Sequence, residues 1–141
     1  MNITLIITYF NQAKYIKRNL DSIINQSVLP REIILINDGS TDSTEKIFKK
    51  YVNILNEKTK CSLINTLNQG VSNARNLWIL VSTSSYLMFL DGDDSLQKNC
   101  FNEILRASEK DYEIGIFGYS EIKGKTINNV KIDGLNMEKV H

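Results

Sequence analysis

The chain has 141 residues, of which 42% are hydrophobic and 23% charged, and its formal net charge is +1. That length suits a single domain over residues 1–141, burying roughly two-thirds of its unfolded surface. Near neutrality leaves no electrostatic case for nucleic-acid binding, and no run approaches the roughly 18 to 20 apolar residues of a membrane-spanning helix.

The β-branched run Ile3 to Thr8 has the pattern of a strand buried on both faces, as in a parallel sheet covered by helices. From Ala13 to Gln26, Ile16, Leu20, Ile23 and Ile24 recur at helical spacing, with Pro30 just beyond the end. Glu32 to Ile36 repeats the buried-strand pattern and runs into the turn formers Asn37-Asp38-Gly39-Ser40. Asp42 and Glu45 have capping-box spacing ahead of an apolar stripe, Ile47, Phe48, Tyr51, Val52 and Leu55.

Ser62 to Leu67 predicts a third strand, 71–81 a helix carrying Ala74, Leu77, Trp78 and Val81, and Tyr86 to Leu90 a fourth buried strand. A helix over 97–108, a strand over 113–119 and a polar stretch of weak periodicity follow. Strict alternation implies right-handed crossovers, a mostly parallel central sheet and a three-layer α/β/α sandwich. Loops at the carboxyl ends of the strands then share one edge, where open α/β sheets bind ligands. Cys61 and Cys100 read as free, buried thiols without chemistry, and the absence of a signal-peptide pattern favours a reducing cytoplasm.

Asp91-Gly92-Asp93-Asp94 is the strongest chemical feature. Three carboxylates in four residues repel one another unless a cation or a donor offsets them. Mg²⁺ or Mn²⁺, which binds through one or two carboxylates plus substrate phosphates, suits such a turn; any one of these aspartates equally suits a helix N-terminus. An EF-hand counted from Asp91 fails, with Leu96 and Asn102 where Gly and Glu are required. A dinucleotide-binding glycine motif fails too, because Tyr9-Phe10-Asn11-Gln12 stands in its place. Asp38 is placed to accept from a base N–H or a ribose hydroxyl, or to form an Asx turn. Arg75 suits a phosphate or a plain surface position, and Thr8-Tyr9-Phe10-Asn11 can flank a base or pack over the sheet edge. The single histidine, His141, rules out a histidine triad or a histidine zinc cluster.

In order and spacing, residues Ile3 to Leu96 resemble the inverting glycosyltransferase family 2, of the GT-A fold. The resemblance is carried by Ile7 to Ile16, Asp21-Ser22-Ile23-Ile24-Asn25-Gln26, Asn37-Asp38-Gly39-Ser40-Thr41-Asp42, Asn68 to Asn76, and Phe89-Leu90-Asp91-Gly92-Asp93-Asp94. It implies that Thr8, Tyr9, Asp38, Arg75 and Asp91 contact a nucleotide-sugar, UDP-sugar favoured, and that Asp93 contacts a Mg²⁺ or Mn²⁺ ion. The expected acceptor is a saccharide or a lipid-linked molecule, as in bacterial surface polysaccharide synthesis, with peripheral association at the inner membrane face. The family's general base lies beyond the fifth strand, so the chain is expected to be truncated before the acceptor-binding half. A nucleotide-sugar and metal-binding fragment without transferase activity of its own is the alternative; a purely structural protein leaves the acidic cluster unexplained. This sequence departs from the family at Thr8 (usually Pro), Asn37 (Asp), Trp78 (Gly), Ser82 (Ala) and Ser84 (Gly).

Overall fold

The computed structural model describes residues 2–67, 82, 84–108, 119–123 and 126–130. Two compact units divide the chain, residues 1–103 and 104–141.

In the first unit the order is β1 (Ile3–Tyr9), α1 (Ala13–Ile24), β2 (Glu32–Asp38), α2 (Thr44–Asn56), β3 (Lys60–Thr66) and β4 (Tyr86–Asp91), and α3 (Cys100–Ser108) begins at its end. The four strands are parallel in the order β3-β2-β1-β4. The chain steps outward from β1 through β2 to β3 and then returns to the other side of β1. The strand order therefore reverses between β1 and β4, which makes that crevice a switch point of the kind where α/β sheets hold ligands.

β1 and β2 are buried at every position, as their unbroken apolar runs require. β4 departs from the expected buried strand: its residues are half-buried or exposed, and Phe89 is 40% exposed. Among the described strands β4 pairs with β1 alone, so only one of its edges is covered. β3, at the opposite edge, runs from Lys60 to Thr66, and Leu67, expected within it, is exposed.

On one sheet face Leu5, Ile7, Ile33 and Leu35 are fully buried beside Ile16, Leu20 and Ile23 of α1 and Phe48 and Leu55 of α2. The two helices are joined by Tyr51, whose hydroxyl donates to Asp21 at 2.9 Å. On the other face Ile6, Ile34 and Ile36 form a cluster with Ile64 and Leu87. The helix expected over 71–81 lies outside the described residues. α1 stops at Ile24, two residues short of expectation, where Asn25 and Gln26 donate their N–H groups to Asp21 and Ile23 in a tightened last turn. α3 starts three residues later than expected, after Asn99 at φ 62°. Cys61 is buried on β3, and that burial pushes its thiol up to about 12.

In the second unit β5 (Tyr119–Lys123) and β6 (Thr126–Val130) form an antiparallel hairpin with Tyr119 opposite Val130. A strand was expected over 113–119; residues 113–118 lie outside the described residues, and the strand seen begins at Tyr119. No helix among the described residues is long and apolar enough to cross a membrane.

Candidate functional site

Parallel register decides which side chains share a face at the carboxyl edge. Thr8 of β1 lies beside Ile36 of β2 and Asp91 of β4, and Asp38 of β2 lies beside Thr66 of β3. Because side chains alternate along a strand, Thr8, Asp38, Thr66 and Asp91 fall on one face. Thr8, Asp38 and Asp91 open into a cavity of about 310 Å³ lined also by Tyr9, Phe10, Gln12 and Asp93. Of the six residues singled out in the sequence, Thr8, Tyr9, Asp38, Asp91 and Asp93 meet here, and Arg75 lies outside the described residues.

The aromatic pair divides its labour. Tyr9 is 1% exposed, its ring packs edge-on to Phe48 at 4.6 Å, and its hydroxyl donates to Asn19 at 2.5 Å. The Tyr9 side chain is thus tied to α1 and α2 while the residue also lines the cavity. Phe10, next in sequence, is 45% exposed at the cavity rim.

The loops after β1 and β2 are tied together by side chains. Asn11, at φ 51°, donates its N–H to Ser40 Oγ (3.0 Å) and accepts from the Thr41 N–H (2.8 Å). Asp42 bridges two helix starts, accepting from the N–H groups of Ala13 (3.0 Å) and Thr44 (2.9 Å). Part of the capping expectation is thereby corrected: α2 begins at Thr44, and the Asp42 carboxylate serves both helices. Partial desolvation works against ionising Asp42, but hydrogen bonds from Thr44 and Ala13 hold its carboxyl below the usual value. Gly39 takes φ 73° in this turn. Asn37, an Asp in the resembled pattern, accepts from the Ser40 N–H (3.1 Å) and donates to Asn65 (2.8 Å), a donor-plus-acceptor role that an ionised carboxylate cannot fill.

The acidic turn closes tightly on β1. Gly92 donates its N–H to the Thr8 carbonyl at 3.1 Å, and a Cβ at this position would collide with the Tyr9 ring and the Gln12 side chain. Asp91 and Asp93 are exposed at the cavity. The Asp94 carboxyl is raised by burial, then by the charges of Asp93 and Asp91, with Arg18 opposing them. Negative charge is therefore concentrated at this edge. No group of three or more His, Cys, Asp or Glu encloses an ion site among the described residues. Two exposed carboxylates at an open cavity nevertheless fit a hard divalent ion that takes its remaining oxygens from a phosphorylated ligand and from water.

Sequence reasoning missed what holds this turn. Asn19 of α1 is fully buried and donates to the carbonyls of Asp91 (3.2 Å) and Asp94 (2.8 Å), and Arg18 donates to the carbonyl of Asp93. Ser22 accepts from the Leu96 N–H (2.9 Å) and Gln26 donates to the Gln97 carbonyl (2.9 Å). The available signal was a polar row at helical spacing, Asn19, Ser22 and Gln26, on an otherwise apolar helix.

A parallel α/β sheet with carboxylates gathered at its switch-point edge defines a protein that binds its ligand at the strand ends. The model of one family, Glycosyl transferase family 2, matches residues 4–137, and the chain belongs to that family. The glycosyltransferase GlyA of Streptococcus pneumoniae serotype 4 is 31% identical over 127 residues, covering 86% of this chain and 18% of GlyA. The crystal structure of S. aureus TarS 1-349 in complex with UDP-GlcNAc superposes with a TM-score of 0.66 at 29% identity, covering 78% of this chain and 32% of that one. The UDP complex of the same protein has a TM-score of 0.74 at 23% identity over 91% of this chain and 38% of that one, a likeness of fold. The fold is thus α/β of the GT-A type, and this chain spans well under half the length of each of these relatives.

Proposed function

We propose that the chain forms the donor-binding part of a glycosyltransferase that moves a sugar from a nucleoside diphosphate, UDP favoured, to a saccharide or lipid-linked acceptor with inversion. The observation that carries this reading is the convergence of Thr8, Asp38 and Asp91, from three strands, and of Asp93, in the turn after β4, on one cavity at the switch point. Membership of family 2 and the UDP-GlcNAc complex of TarS support the same substrate class.

Asp38, buried at the end of β2 and oriented by Thr66 at 2.8 Å, accepts from the base or the ribose. Phe10 offers its exposed face to the base, and Thr8 lines the wall between them. Arg75 pairs with phosphate oxygens. Asp91 contacts the nucleotide-sugar, and Asp93 holds Mg²⁺ or Mn²⁺. When bound, the ion offsets the negative charge that gathers on the departing diphosphate and fixes its orientation. Inversion also needs a carboxylate base to take the acceptor's proton, a role assigned to no described residue.

The test is calorimetric titration of the chain with UDP, with and without Mn²⁺, beside Asp38→Ala and Asp93→Ala. Mn²⁺-enhanced binding that both substitutions abolish is the expected result. If GDP replaces UDP with the same metal dependence, the assigned base is wrong. If neither nucleotide binds to the folded protein, the reading falls.

A further inference from the structure

α1 does more than cover the sheet. Of the four carbonyls of the Asp91 to Asp94 turn, three are bound by side chains of this helix: those of Asp91 and Asp94 by Asn19, and that of Asp93 by Arg18. Asn19 cannot turn its amide round. Its Oδ1 is held by the buried Tyr9 hydroxyl at 2.5 Å, and only an NH₂ group can serve two carbonyls. Tyr9, which leads out of β1, thereby sets the orientation of Asn19, and Asn19 sets that of the turn.

With its carbonyls drawn toward α1, the turn keeps the carboxylates of Asp91 and Asp93 on the cavity side. Without this hold, like-charged carboxylates two residues apart relax by moving apart. We propose that Asn19 is a positioning residue, a buried amide that keeps the Asp91 and Asp93 carboxylates converged for a divalent cation and the diphosphate it accompanies. The proposal rests on the donor-binding reading given above.

The experiment compares UDP affinity in Mn²⁺ with that in chelator for the full chain and for Asn19→Ala, Ser22→Ala and Ile16→Val. Asn19→Ala is expected to lower the Mn²⁺-dependent affinity about tenfold while the chelator value stays within about twofold. Ser22→Ala, which releases the Leu96 N–H and removes the hydroxyl that donates to the Asn19 carbonyl at 2.6 Å, shifts it in the same direction by about threefold and decides the matter if Asn19→Ala does not fold. Ile16→Val, a change in the buried face of α1 at a side chain that cannot hydrogen-bond the turn, leaves both affinities unchanged. A folded Asn19→Ala with the metal dependence of the unsubstituted chain overturns the proposal, as does an equal loss in both conditions. An unsubstituted chain that shows no Mn²⁺ enhancement with UDP or with GDP overturns the donor reading and this proposal together, whereas a folded Asn19→Ala that matches it overturns this proposal alone.

Discussion

The hydroxyl of Thr66, at the end of β3, donates to Oδ1 of Asp38, its register partner at the end of β2, across 2.8 Å. Asp38 is 3% exposed, so the direction of its carboxylate is set by neighbouring strands rather than by solvent. Thr66→Val keeps the shape and removes the donor. UDP affinity should fall about fivefold, the effect of one net hydrogen bond near 1 kcal/mol, while Thr66→Ser stays close to the original value. Calorimetry on the two variants checks this, and equal affinities would separate Asp38 from Thr66.

Gly92 carries a steric constraint that no other residue meets, since a Cβ there overlaps the Tyr9 ring and Gln12. Gly92→Ala should cost about 1 to 3 kcal/mol through forced displacement of the turn or the ring. Denaturant unfolding measures the loss. The same variant should lose the Mn²⁺ enhancement of UDP binding, because the displaced segment carries Asp91 and Asp93.

Phe10 stands at the cavity rim with 45% of its surface exposed, so its truncation removes only part of a buried side chain's packing. Phe10→Ala should lower the melting temperature less than truncation of a fully buried aromatic would and weaken UDP binding about tenfold, within the range of base-on-aromatic stacking. Phe10→Trp should retain binding. A Phe10→Ala variant that binds normally would show that the base lies elsewhere.

Asp42 gives a pH dependence of definite sign. Its carboxyl is held below 3.8, so its contribution to stability is complete above that value and is lost as pH falls through the lower, folded-state value. Asp42→Ala should destabilise by about 1 kcal/mol at neutral pH, as expected for loss of a helix N-terminal acceptor. The carboxylate is exposed, so salt should shrink the difference. Thermal melts of both proteins should converge in acid below 3.8; a gap that widens there would refute the assignment.

Local pattern carried far in this chain. The apolar runs at Ile3 to Thr8 and Glu32 to Ile36 are strands buried along their whole length, because burial on both faces leaves a continuous apolar signature. The run at Tyr86 to Leu90 reads the same way but forms a strand with exposed positions, since apolar content does not say how many neighbours a strand will have. The residues picked out at strand ends, Thr8, Asp38, Asp91 and Asp93, do line one cavity. Tyr9 lines the same cavity, yet alternation also packs its ring against Phe48 on the helical face and its hydroxyl against Asn19, contacts that its place beside Thr8 in the sequence does not announce.

By itself, the sequence determined the parallel α/β class, the strand-end location of the site and the carboxylates in it, because periodicity and turn chemistry are written in neighbouring residues. Tertiary structure alone decided how those carboxylates are held. Asn19 and Asp94 are 75 positions apart, and Thr66 and Asp38 are 28 apart. Such pairs are made only when helix crossing and strand register bring their side chains within hydrogen-bond reach. No local periodicity encodes that distance.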